Sequence, residues 1–547
     1  MSFAFRRGLA GAAIASGMAV AIVSVALSAS PVAPAAAEPQ PDATGSLAEV
    51  GVTQAFPTPA AVLTVPPTIG PEPTPTPLDA IVPVASFWTA TGDITLLDVT
   101  RLWAGRSDIT TETQYRSMVV ADVDANAMAA RLGFPAAAGV RVMSADEVKA
   151  AVRASPATLG LLPAGDVTPD LRALTLNGIA LFGPGRIKTL GDWPLLVAAA
   201  TAVPFSLIDE WTLAAGGDVN LDRSIYVKAV KWNYGPDFPW SGGHASISSY
   251  ECCGPEGATL GVARATGDAG ALARRFSEAD LALVNLEGSA PNDFVYRPSS
   301  LVFTFDPALL GGLRDAGIDA VSLANNHIRN GGDRGVVDTC TNLDSLGIAH
   351  TGAGSNLDAA RAPAWLAAGG LRIAVLGYSA VGHSNWATAA HPGAAPLDLV
   401  SAAADIRAAR AAGADLVIVM PHWGEEYSYA LSAEQKDEAA AFVAAGADLV
   451  LGSHSHWVGA IQSIDRPQGP AFVDYSLGDL LFDLNHDLQS QEGVIATMTF
   501  SGKRLVQVNL DPTIMVDRAQ VALLDRSGGG QAVLDAIRRA SRGLIGW

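Results

Sequence analysis

The chain has 547 residues, enough for about three or four domains, and 49% of them are hydrophobic, which allows a large buried core. It carries 35 lysines and arginines against 54 aspartates and glutamates, a formal net charge of −19 at pH 7. Because nonspecific nucleic-acid binding depends on basic side chains that neutralise phosphates, this balance argues against a nucleic-acid partner. Three cysteines are too few for a disulfide framework, so Cys252, Cys253 and Cys340 are either unpaired thiols or include one bridge between the adjacent pair.

The N-terminus has the pattern of a secretory segment. Arg6 and Arg7 precede an apolar run from Gly8 to about Ala29, and small residues follow it. The run is long for a signal peptide and nearly long enough to cross a bilayer, so 1–30 fits either a cleaved signal or a retained membrane anchor. Both alternatives predict an extracytoplasmic protein, secreted or anchored to the cytoplasmic membrane.

Two regions of different texture follow. Residues 31–78 are rich in proline, alanine and threonine, a composition that predicts an extended linker. Residues 79–206 predict a small α/β domain, since SADEVKAAVRASPATLGLLPAGDV is typical of a helix followed by a strand. This region loosely resembles one lobe of a phosphate-type solute-binding protein. A spacer or docking domain is the alternative.

The third region, 211–485, alternates apolar strands with helices, and each strand ends in a polar cluster. This alternation predicts an α/β domain, in which the loops at the carboxyl ends of the strands form the ligand crevice. In the last region, 486–547, two further strands are predicted to close the fold before a C-terminal helix. The strand ends of the third region read LAAGGDVN, LALVNLEG, AVSLANNH, IAVLGYS, LVIVMPHWG and LVLGSHSH.

Candidate metal ligands occupy these strand ends. The pair in GSHSHWV, taken alone, fits either a metal site or two ordinary loop histidines. Equivalent places after other strands also carry ligand-type side chains, and the full set is Asp218, Glu287, Asn326, His422, His454 and His456. Carboxylate, amide and imidazole ligands together suit divalent ions of the Mn, Fe or Zn type. Two such ions close together can clamp a phosphoryl oxygen, so the set predicts one or two divalent metal ions.

Six motifs follow one another along this part of the sequence and cover about half of the chain: GGDVNLDR, LVNLEGSA, LANNHIRNGGDRGVVDT, HWGEEY, GSHSHWVGAIQ and YSLGDLLFD. In this order they resemble the CapA family of capsule and poly-γ-glutamate synthesis proteins, which is related to calcineurin-like metallophosphoesterases. The resemblance implies a two-sheet α/β sandwich flanked by helices, with the metal site at the strand ends. It implies that the six residues above bind metal, with Glu287 in place of a bridging aspartate. It also implies that His327 is catalytic and stabilises or protonates the transition state.

The first motif departs from the metallophosphoesterase pattern. That pattern has Asp-x-His, whereas this chain has Asp218-Val219-Asn220. An amide oxygen binds late transition ions more weakly than an imidazole does, which predicts one tightly held ion and a second that is weak or absent. Asn220 is then either a weak ligand or a cap at the strand end. Asp479, where the CapA pattern has asparagine, either orients a ligating histidine or caps a strand end.

Four other polar residues are candidates for pocket or substrate contacts. Arg223 fits an anionic group or a surface salt bridge. Glu426 either lines the pocket or packs against it, and Asp333 caps or orients the loop after His327. His244 belongs to a tryptophan- and glycine-rich insertion that is either a lid or a solvated loop.

Three functions are compatible with these patterns. The first is an extracytoplasmic CapA-type protein in the synthesis, export or anchoring of an anionic cell-surface polymer, beside membrane capsule-synthesis subunits. The second is a general metal-dependent phosphoester hydrolase. The third is a non-catalytic module that binds polymer or phosphate, so the sequence leaves the enzymatic status open.

Overall fold

The computed structural model describes residues 77–106, 114–199, 205–252, 259–299 and 301–544, all of which belong to one compact unit, Thr74–Trp547. The predicted secretory segment lies outside these residues, as does all but the end of the predicted linker. Within the described ranges, no helix is long and apolar enough to cross a membrane.

An N-terminal lobe is built on a six-stranded sheet with its own apolar core. The strand order is β4-β3-β5-β1-β6, with β8 also paired to β1; β3 runs parallel to β4 and β5, and β1 runs antiparallel to β5. The elements are β1 Leu78–Ser86, β2 Asp93–Ile94, α1 Leu96–Trp103, β3 Ser117–Ala121, α2 Ala125–Leu132, β4 Arg141–Met143, α3 Ala145–Ala154, β5 Thr158–Pro163, β6 Leu171–Ala173, β7 Thr175–Leu176 and β8 Leu196–Ala198.

Helix α3 and strand β5 form the helix followed by a strand that the sequence predicts. The Ser144 hydroxyl accepts the Glu147 N–H, and the Glu147 carboxylate accepts the Ser144 N–H, so the first turn is capped on both sides. Val148 and Val152, one turn apart, are buried against β5. Gly160 of β5 makes room for them, since a Cβ there would lie 2.7 Å from Val152 Cγ2.

The rest of the described chain forms two larger sheets with helices. Its elements are β9 Glu210–Val219, α4 Arg223–Tyr226, β10 His244–Cys252, β11 Thr259–Gly267, α5 Ala271–Ser277, β12 Leu281–Leu286, α6 Leu310–Asp315, β13 Ala320–Ser322, α7 Gly332–Leu346, β14 Ala349–Thr351, β15 Ala353–Gly354, α8 Leu357–Ala360, β16 Ala364–Ala368, β17 Leu371–Ser379, β18 Gly393–Ala394, α9 Leu399–Ala411, β19 Leu416–His422, α10 Ala433–Ala445, β20 Leu449–Leu451, β21 Ile461–Ile464, β22 Ala471–Asp474, β23 Asp479–Leu481, β24 Glu492–Ser501, β25 Arg504–Val516, β26 Gln520–Leu524 and α11 Gly530–Ala540.

Each large sheet contains a run of parallel strands. The ten-stranded sheet has the order β11-β10-β26-β25-β24-β9-β12-β13-β14, with β23 also paired to β9, and β9, β12, β13 and β14 are parallel. The six-stranded sheet has the order β16-β17-β19-β20-β22-β21, and β17, β19, β20 and β22 are parallel. Parallel runs bring the carboxyl ends of their strands to one edge of each sheet.

The two large sheets pack face to face, with helices on the outside. Leu213 and Ala215 of β9 share one buried core with Ile373 and Val375 of β17, whereas Ala214 points into the core beneath the helices of the ten-stranded sheet. A further core lies between the six-stranded sheet and α9 and α10. Because alternate strand residues point to opposite faces, both faces of each sheet are apolar. These layers confirm the predicted α/β two-sheet sandwich flanked by helices.

The strands after residue 485 complete the ten-stranded sheet. β24 lies between β9 and β25, and its register pairs Ala496 with Ala215 and Ser501 with Glu210. The predicted closing strands are therefore inserted next to the first strand of the sandwich. The predicted domain boundary at 485 divides the ten-stranded sheet, because β24, β25 and β26 lie after that residue.

Candidate metal centre

The predicted ligands lie where the carboxyl ends of the two parallel runs face each other. The ten-stranded sheet supplies side chains from the ends of β9, β12 and β13, and the six-stranded sheet supplies them from the ends of β19 and β20. The residues brought together are Asp218, Glu287, Asn326, His327, His422, His454, His456 and Asp479.

Asp218 is held between two neighbouring strands. It is fully buried, and its register partners are Asn285 of β12 and Asp479 of β23. Gly217 allows the chain before β23 to come this close, because a Cβ at that position would lie 1.8 Å from the carbonyl oxygen of Gly478. The sequence GGD is therefore required by the close contact that places Asp479 beside Asp218.

Two groups of ligand atoms, each within 4.8 Å of one another, have the spacing of a metal site. The first group is Asp218, Glu287 and His422, and the second is Asp218, His456 and Asp479. All five residues are buried. The family resemblance assigns the bridging position to Glu287, whereas in this geometry Asp218 is the residue that both groups share.

Three carboxylate oxygens of this cluster lack the hydrogen bonds that buried charges need. Among the described residues, neither oxygen of Glu287 nor Oδ2 of Asp479 has a hydrogen-bond partner, and all three oxygens are buried. Burial, together with the nearby Asp218 charge, raises the pKa of Glu287 well above its usual range, and burial raises the pKa of Asp479 to about 7. A divalent cation would offset these charges, so the residues present fit one.

Within the second group, the imidazole of His456 contacts the Asp479 carboxylate. Its Nδ1 lies 2.9 Å from Asp479 Oδ1 and 3.9 Å from Asp218 Oδ2. Burial alone would lower the pKa of this imidazole, but the charges of Asp479, Glu287 and Asp218 raise it to about 10. The short contact supports the first of the two roles predicted for Asp479, the orientation of a ligating histidine.

His422, His454 and Asn326 meet on the other side of the cluster. His422 Nε2 lies 2.9 Å from Asn326 Oδ1 and 3.1 Å from His454 Nδ1, while its Nδ1 lies 3.0 Å from the Ser453 hydroxyl. Nε2 is therefore the ring nitrogen of His422 that is directed into the cluster. Burial lowers the pKa of both histidines, that of His454 to about 3. Both imidazoles are therefore neutral, the form that binds metal.

The loop that contains SHSH has a strained backbone and forms a hydrogen bond with Asp218 of β9. His454 and His456 have positive φ angles of 96° and 60°, which side chains other than glycine rarely adopt. The His454 backbone N–H donates to Asp218 Oδ2 at 3.0 Å, so the loop of one sheet is fixed by a carboxylate of the other.

His327 lies at the edge of the cluster, and its side chain is 18% exposed. Its Nε2 is 3.7 Å from Glu287 Oε1, and its Nδ1 is 2.9 Å from Asn330 Oδ1. Burial lowers the pKa of His327 to about 4, so the imidazole is neutral at pH 7. Among the histidines of the cluster, His327 is the one that reaches the solvent.

Asn220 is engaged locally at both ends of its amide. Its Nδ2 donates to the Glu287 carbonyl at 3.0 Å, and its Oδ1 accepts the Asp222 N–H at 3.0 Å. These contacts favour the strand-end cap over the weak ligand among the two predicted roles.

The remaining predicted contact residues differ in their distance from the cluster. Arg223 pairs with Asp483 at 2.5 Å and lies over the ring of Phe303, which also packs on His327. Glu426 is exposed. Asp333 is half-exposed and pairs with Arg329 and His391. In the described residues, Asp333 makes no contact with the ligand cluster.

Sequence reasoning missed Asn285. Its Nδ2 donates to Asp218 Oδ1 at 2.6 Å and lies 3.3 Å from His422 Nδ1, so it connects two candidate ligands. A signal was present, because Asn285 is a polar residue within the apolar strand LALVNLEG, two positions before Glu287. Alternation along a strand directs two such side chains to the same face.

The layered fold, with carboxylates and imidazoles at the strand ends of both sheets, defines a two-sheet α/β protein with a candidate metal centre between the sheets. Residues 212–484, about half of the chain, match the family described as bacterial capsule synthesis protein PGA_cap. Through this region the chain belongs to that family, and the predicted CapA resemblance is confirmed.

Two curated relatives and one solved structure are similar to parts of this chain. The chain is 35% identical over 176 residues to the capsule biosynthesis protein CapA of Bacillus anthracis. The matched region covers 31% of this chain and 42% of that protein. It is 32% identical over 218 residues to a "probable polyglutamine synthesis accessory protein" of Mycobacterium tuberculosis. The matched region covers 37% of this chain and 56% of that protein. The chain thus spans about half the length of the curated relatives it matches. Among solved structures, the calcineurin-like phosphoesterase YfkN of Bacillus subtilis has 13% identity and a TM-score of 0.29, covering 60% of this chain and 96% of that one.

Proposed function

We propose that this protein acts outside the cytoplasmic membrane in the synthesis, export or anchoring of an anionic cell-surface polymer of the poly-γ-glutamate type, through a site that holds divalent metal. The family match supports the polymer, and the predicted secretory segment supports the location. The observation that carries the metal site is that two buried ligand groups share Asp218 and that, among the described residues, the two Glu287 oxygens and Asp479 Oδ2 have no hydrogen-bond partner. Membrane capsule-synthesis subunits are the proposed partners.

The two groups divide the ligands between two positions. Asp218, Glu287 and His422 would hold one ion, with Asn326 and His454 beside them, and Asp218, His456 and Asp479 would hold the other. The mixture of oxygen and nitrogen donors suits Mn, Fe or Zn. Such an ion supplies Lewis-acid polarisation of a phosphoryl or carbonyl oxygen.

His327 is placed to handle a proton at Nε2. The Asn330 Oδ1 atom accepts both the Phe303 N–H and the His327 Nδ1 proton, so the neutral imidazole carries its lone pair on Nε2. That atom lies 3.7 Å from Glu287 Oε1 at the edge of the cluster and can accept a proton from a water or hydroxyl bound there. Arg223, held by Asp483 against the same Phe303 ring, provides a positive charge on this side for an anionic substrate.

A general phosphoester hydrolase is the second candidate. The observation in its favour is the same neutral, solvent-reaching His327, because binding a polymer without chemistry would not require a proton acceptor at the mouth of the cluster. The two candidates share the metal site and differ in the substrate.

Metal analysis tests the site itself. Elemental analysis of the purified protein should find at least one Mn, Fe or Zn ion per chain, and Asp218→Asn and the double variant His454→Ala/His456→Ala should lose it. His391→Ala is the matched control, since that histidine is exposed and contacts Asp333 instead. Unchanged metal content in Asp218→Asn and in the double variant would refute the site, and a wild-type protein without metal would favour the non-catalytic module.

Polymer production tests the proposed function. In a polymer-producing host that lacks its own homologue, the wild type and His391→Ala should restore surface polymer, and Asp218→Asn should not. Rapid hydrolysis of bis(4-nitrophenyl) phosphate without any effect on polymer would instead establish the hydrolase. Cell fractionation tests the location, and recovery of the mature protein from the cytoplasm would contradict it.

A further inference from the structure

Part of the ten-stranded sheet has a polar outer face. In β24 and β25, Ala496, Met498, Val508 and Leu510 point into the core between the large sheets. The residues between them point the other way and are polar: Thr497, Thr499, Gln507, Asn509 and Asp511. Both threonines are buried, so this polar surface is covered rather than solvated.

The N-terminal lobe covers this face. Arg504 donates to the carbonyl of Val167 at 3.0 Å, and Arg172 of β6 donates to Asn509 Oδ1 at 2.8 Å. Between the lobe and the sheet lies a cavity of roughly 160 Å³, lined by Arg172, Arg275 of α5 and the polar face. Arg172 and Arg275 also line an adjoining, more open cavity of about 320 Å³.

Three guanidinium groups surround the two cavities. The adjoining cavity adds Arg526, and its carboxylates are Asp511 and Asp525. Asp511 is already engaged, because its Oδ1 accepts Asn509 Nδ2 at 2.7 Å and its Oδ2 lies 3.3 Å from Arg275 Nε. Three guanidinium groups against these two carboxylates leave one excess positive charge at the junction between the lobe and the sheet.

Two of the arginines have hydrogen-bonding capacity that the protein does not use. Among the described residues, the Nε atoms of Arg172 and Arg526 have no hydrogen-bond partner; both atoms are buried, and Arg526 is only 8% exposed. Burial and the nearby Arg172 charge lower the pKa of Arg526 to about 9, and burial also lowers the pKa of Arg172. Gly92 leaves room for the Arg172 side chain, since a Cβ there would lie 2.9 Å from Nη2. Unsatisfied buried donors beside an enclosed space are a reason to expect a ligand.

We propose that the cavity between the lobe and the sheet binds a small oxyanion, a phosphate or a single carboxylate, through Arg172 and Arg275. Planar guanidinium groups bind both oxyanions with paired hydrogen bonds. The cavity is smaller than the roughly 300–1,000 Å³ typical of larger ligands, so it admits one such group rather than a length of polymer. None of its residues belongs to the strand-end cluster, so this site is separate from the metal centre and goes beyond the proposed function.

Calorimetric titration of the full chain tests the site. The protein is first treated with a chelator, so that metal in the strand-end cluster cannot bind the probe. Inorganic phosphate and a γ-linked glutamate trimer are then titrated separately at low ionic strength. Arg172→Gln and Arg275→Gln should each weaken binding about tenfold or more. Arg274→Gln, the neighbouring arginine that pairs with Asp268 on the surface, should leave it within about twofold.

The outcomes separate the two ligand sources. Binding of phosphate alone identifies free phosphate or a phosphate ester, and binding of the trimer alone identifies a polymer carboxylate. Failure of both probes to bind, or equal binding by all variants, would overturn the proposal. If thermal melting shows that Arg172→Gln is unfolded, Arg275→Gln decides, because the Arg275 side chain is 32% exposed and its loss leaves less of the fold unsupported.

Discussion

Asp218 depends on groups that are not themselves ligands. Its Oδ1 accepts the Asn285 amide at 2.6 Å, and its Oδ2 accepts the His454 backbone N–H at 3.0 Å. One contact comes from the neighbouring strand and the other from the opposite sheet. The orientation of the shared carboxylate is therefore set from two directions, as is common for groups that support metal ligands.

Replacing Asn285 should weaken the metal site without removing a ligand. Asn285→Ala deletes the donor to Asp218 and the contact with His422, so we expect metal affinity to fall about 10- to 100-fold. Competition with a chelator of known affinity measures this change. Equal affinity in the variant and the wild type would show that Asn285 serves packing alone.

Asn220→Ala should have the opposite profile. It leaves the buried Asp222 N–H and the Glu287 carbonyl without their partner, so the free energy of unfolding should fall by about 1–3 kcal/mol. Metal content per folded chain should stay at the wild-type value. Chemical denaturation and elemental analysis measure the two quantities, and loss of metal would restore Asn220 as a ligand.

Asp474 should make stability depend on pH. This fully buried carboxyl accepts the Ser476 N–H through Oδ1, while its Oδ2 has no partner, and burial raises its pKa to about 8. In the unfolded chain the pKa of an aspartate is about 3.9. Between about pH 4 and pH 8 the Asp474 carboxyl is therefore protonated in the folded state and ionised in the unfolded state. The free energy of unfolding consequently falls as the pH rises through this range.

Asp474→Asn removes this titration. The free energy of unfolding of the variant, measured relative to that of the wild type, should be higher at pH 9 than at pH 4. The reason is that the buried charge destabilises the wild type at pH 9. Urea denaturation at both pH values measures the effect. An unchanged dependence on pH would mean that Asp474 keeps an ordinary pKa in the fold.

At the scale of elements, the close backbone contact at Gly217 holds β9 against the chain that leads into β23. Gly217→Ala would place a methyl group 1.8 Å from the Gly478 carbonyl oxygen, so the two segments must separate. We expect a loss of about 3 kcal/mol or more in the free energy of unfolding, together with loss of metal, because Asp479 moves away from Asp218.

Gly311→Ala is the matched control. Gly311 lies in α6 with open space around its Cβ position, and alanine there should be neutral or stabilising by up to about 1 kcal/mol. Thermal and chemical denaturation of both variants tests the pair. Equal stability in the two would show that the backbone at Gly217 relaxes at little cost.

The sequence predicts elements better than it predicts their partners. The strand ending in Asp218 and the helix begun by Ser144 are visible because apolar alternation and capping are local signals. The insertion of β24 beside β9 is invisible, since both strands are apolar and either could pair with many others. The same limit applies to the site. The histidines stand out by type and spacing, but the proximity of Asn285 to Asp218 depends on which strands are neighbours.

At the scale of the molecule, the site connects two sheets that otherwise meet through apolar contacts. A metal ion bound by Asp218 and Glu287 from one sheet and by His422 from the other would stabilise the folded state but not the unfolded chain. Such binding raises the unfolding free energy by about 2.7 kcal/mol when the free ion is at 100 times its dissociation constant.

Adding Mn²⁺ or Zn²⁺ to chelator-treated protein should therefore raise its melting temperature in a concentration-dependent manner. Asp218→Asn should show no such response, and His391→Ala should respond as the wild type does. Differential scanning calorimetry measures the shift. An identical response in wild type and Asp218→Asn would assign the stabilisation to some other ion-binding site.

The hydrogen bond from His454 to Asp218 joins residues 236 positions apart, and β24, which pairs with β9, comes later still. A chain synthesised from its N-terminus holds Asp218 long before these partners exist. Contacts of such long range form late in folding, because the intervening chain must be ordered first. The ligand set is thus among the last parts of the protein to assemble. A metal ion that needs the complete ligand set would therefore bind only after folding, and the ions surrounding the folded protein, rather than those at the ribosome, would determine which one it carries.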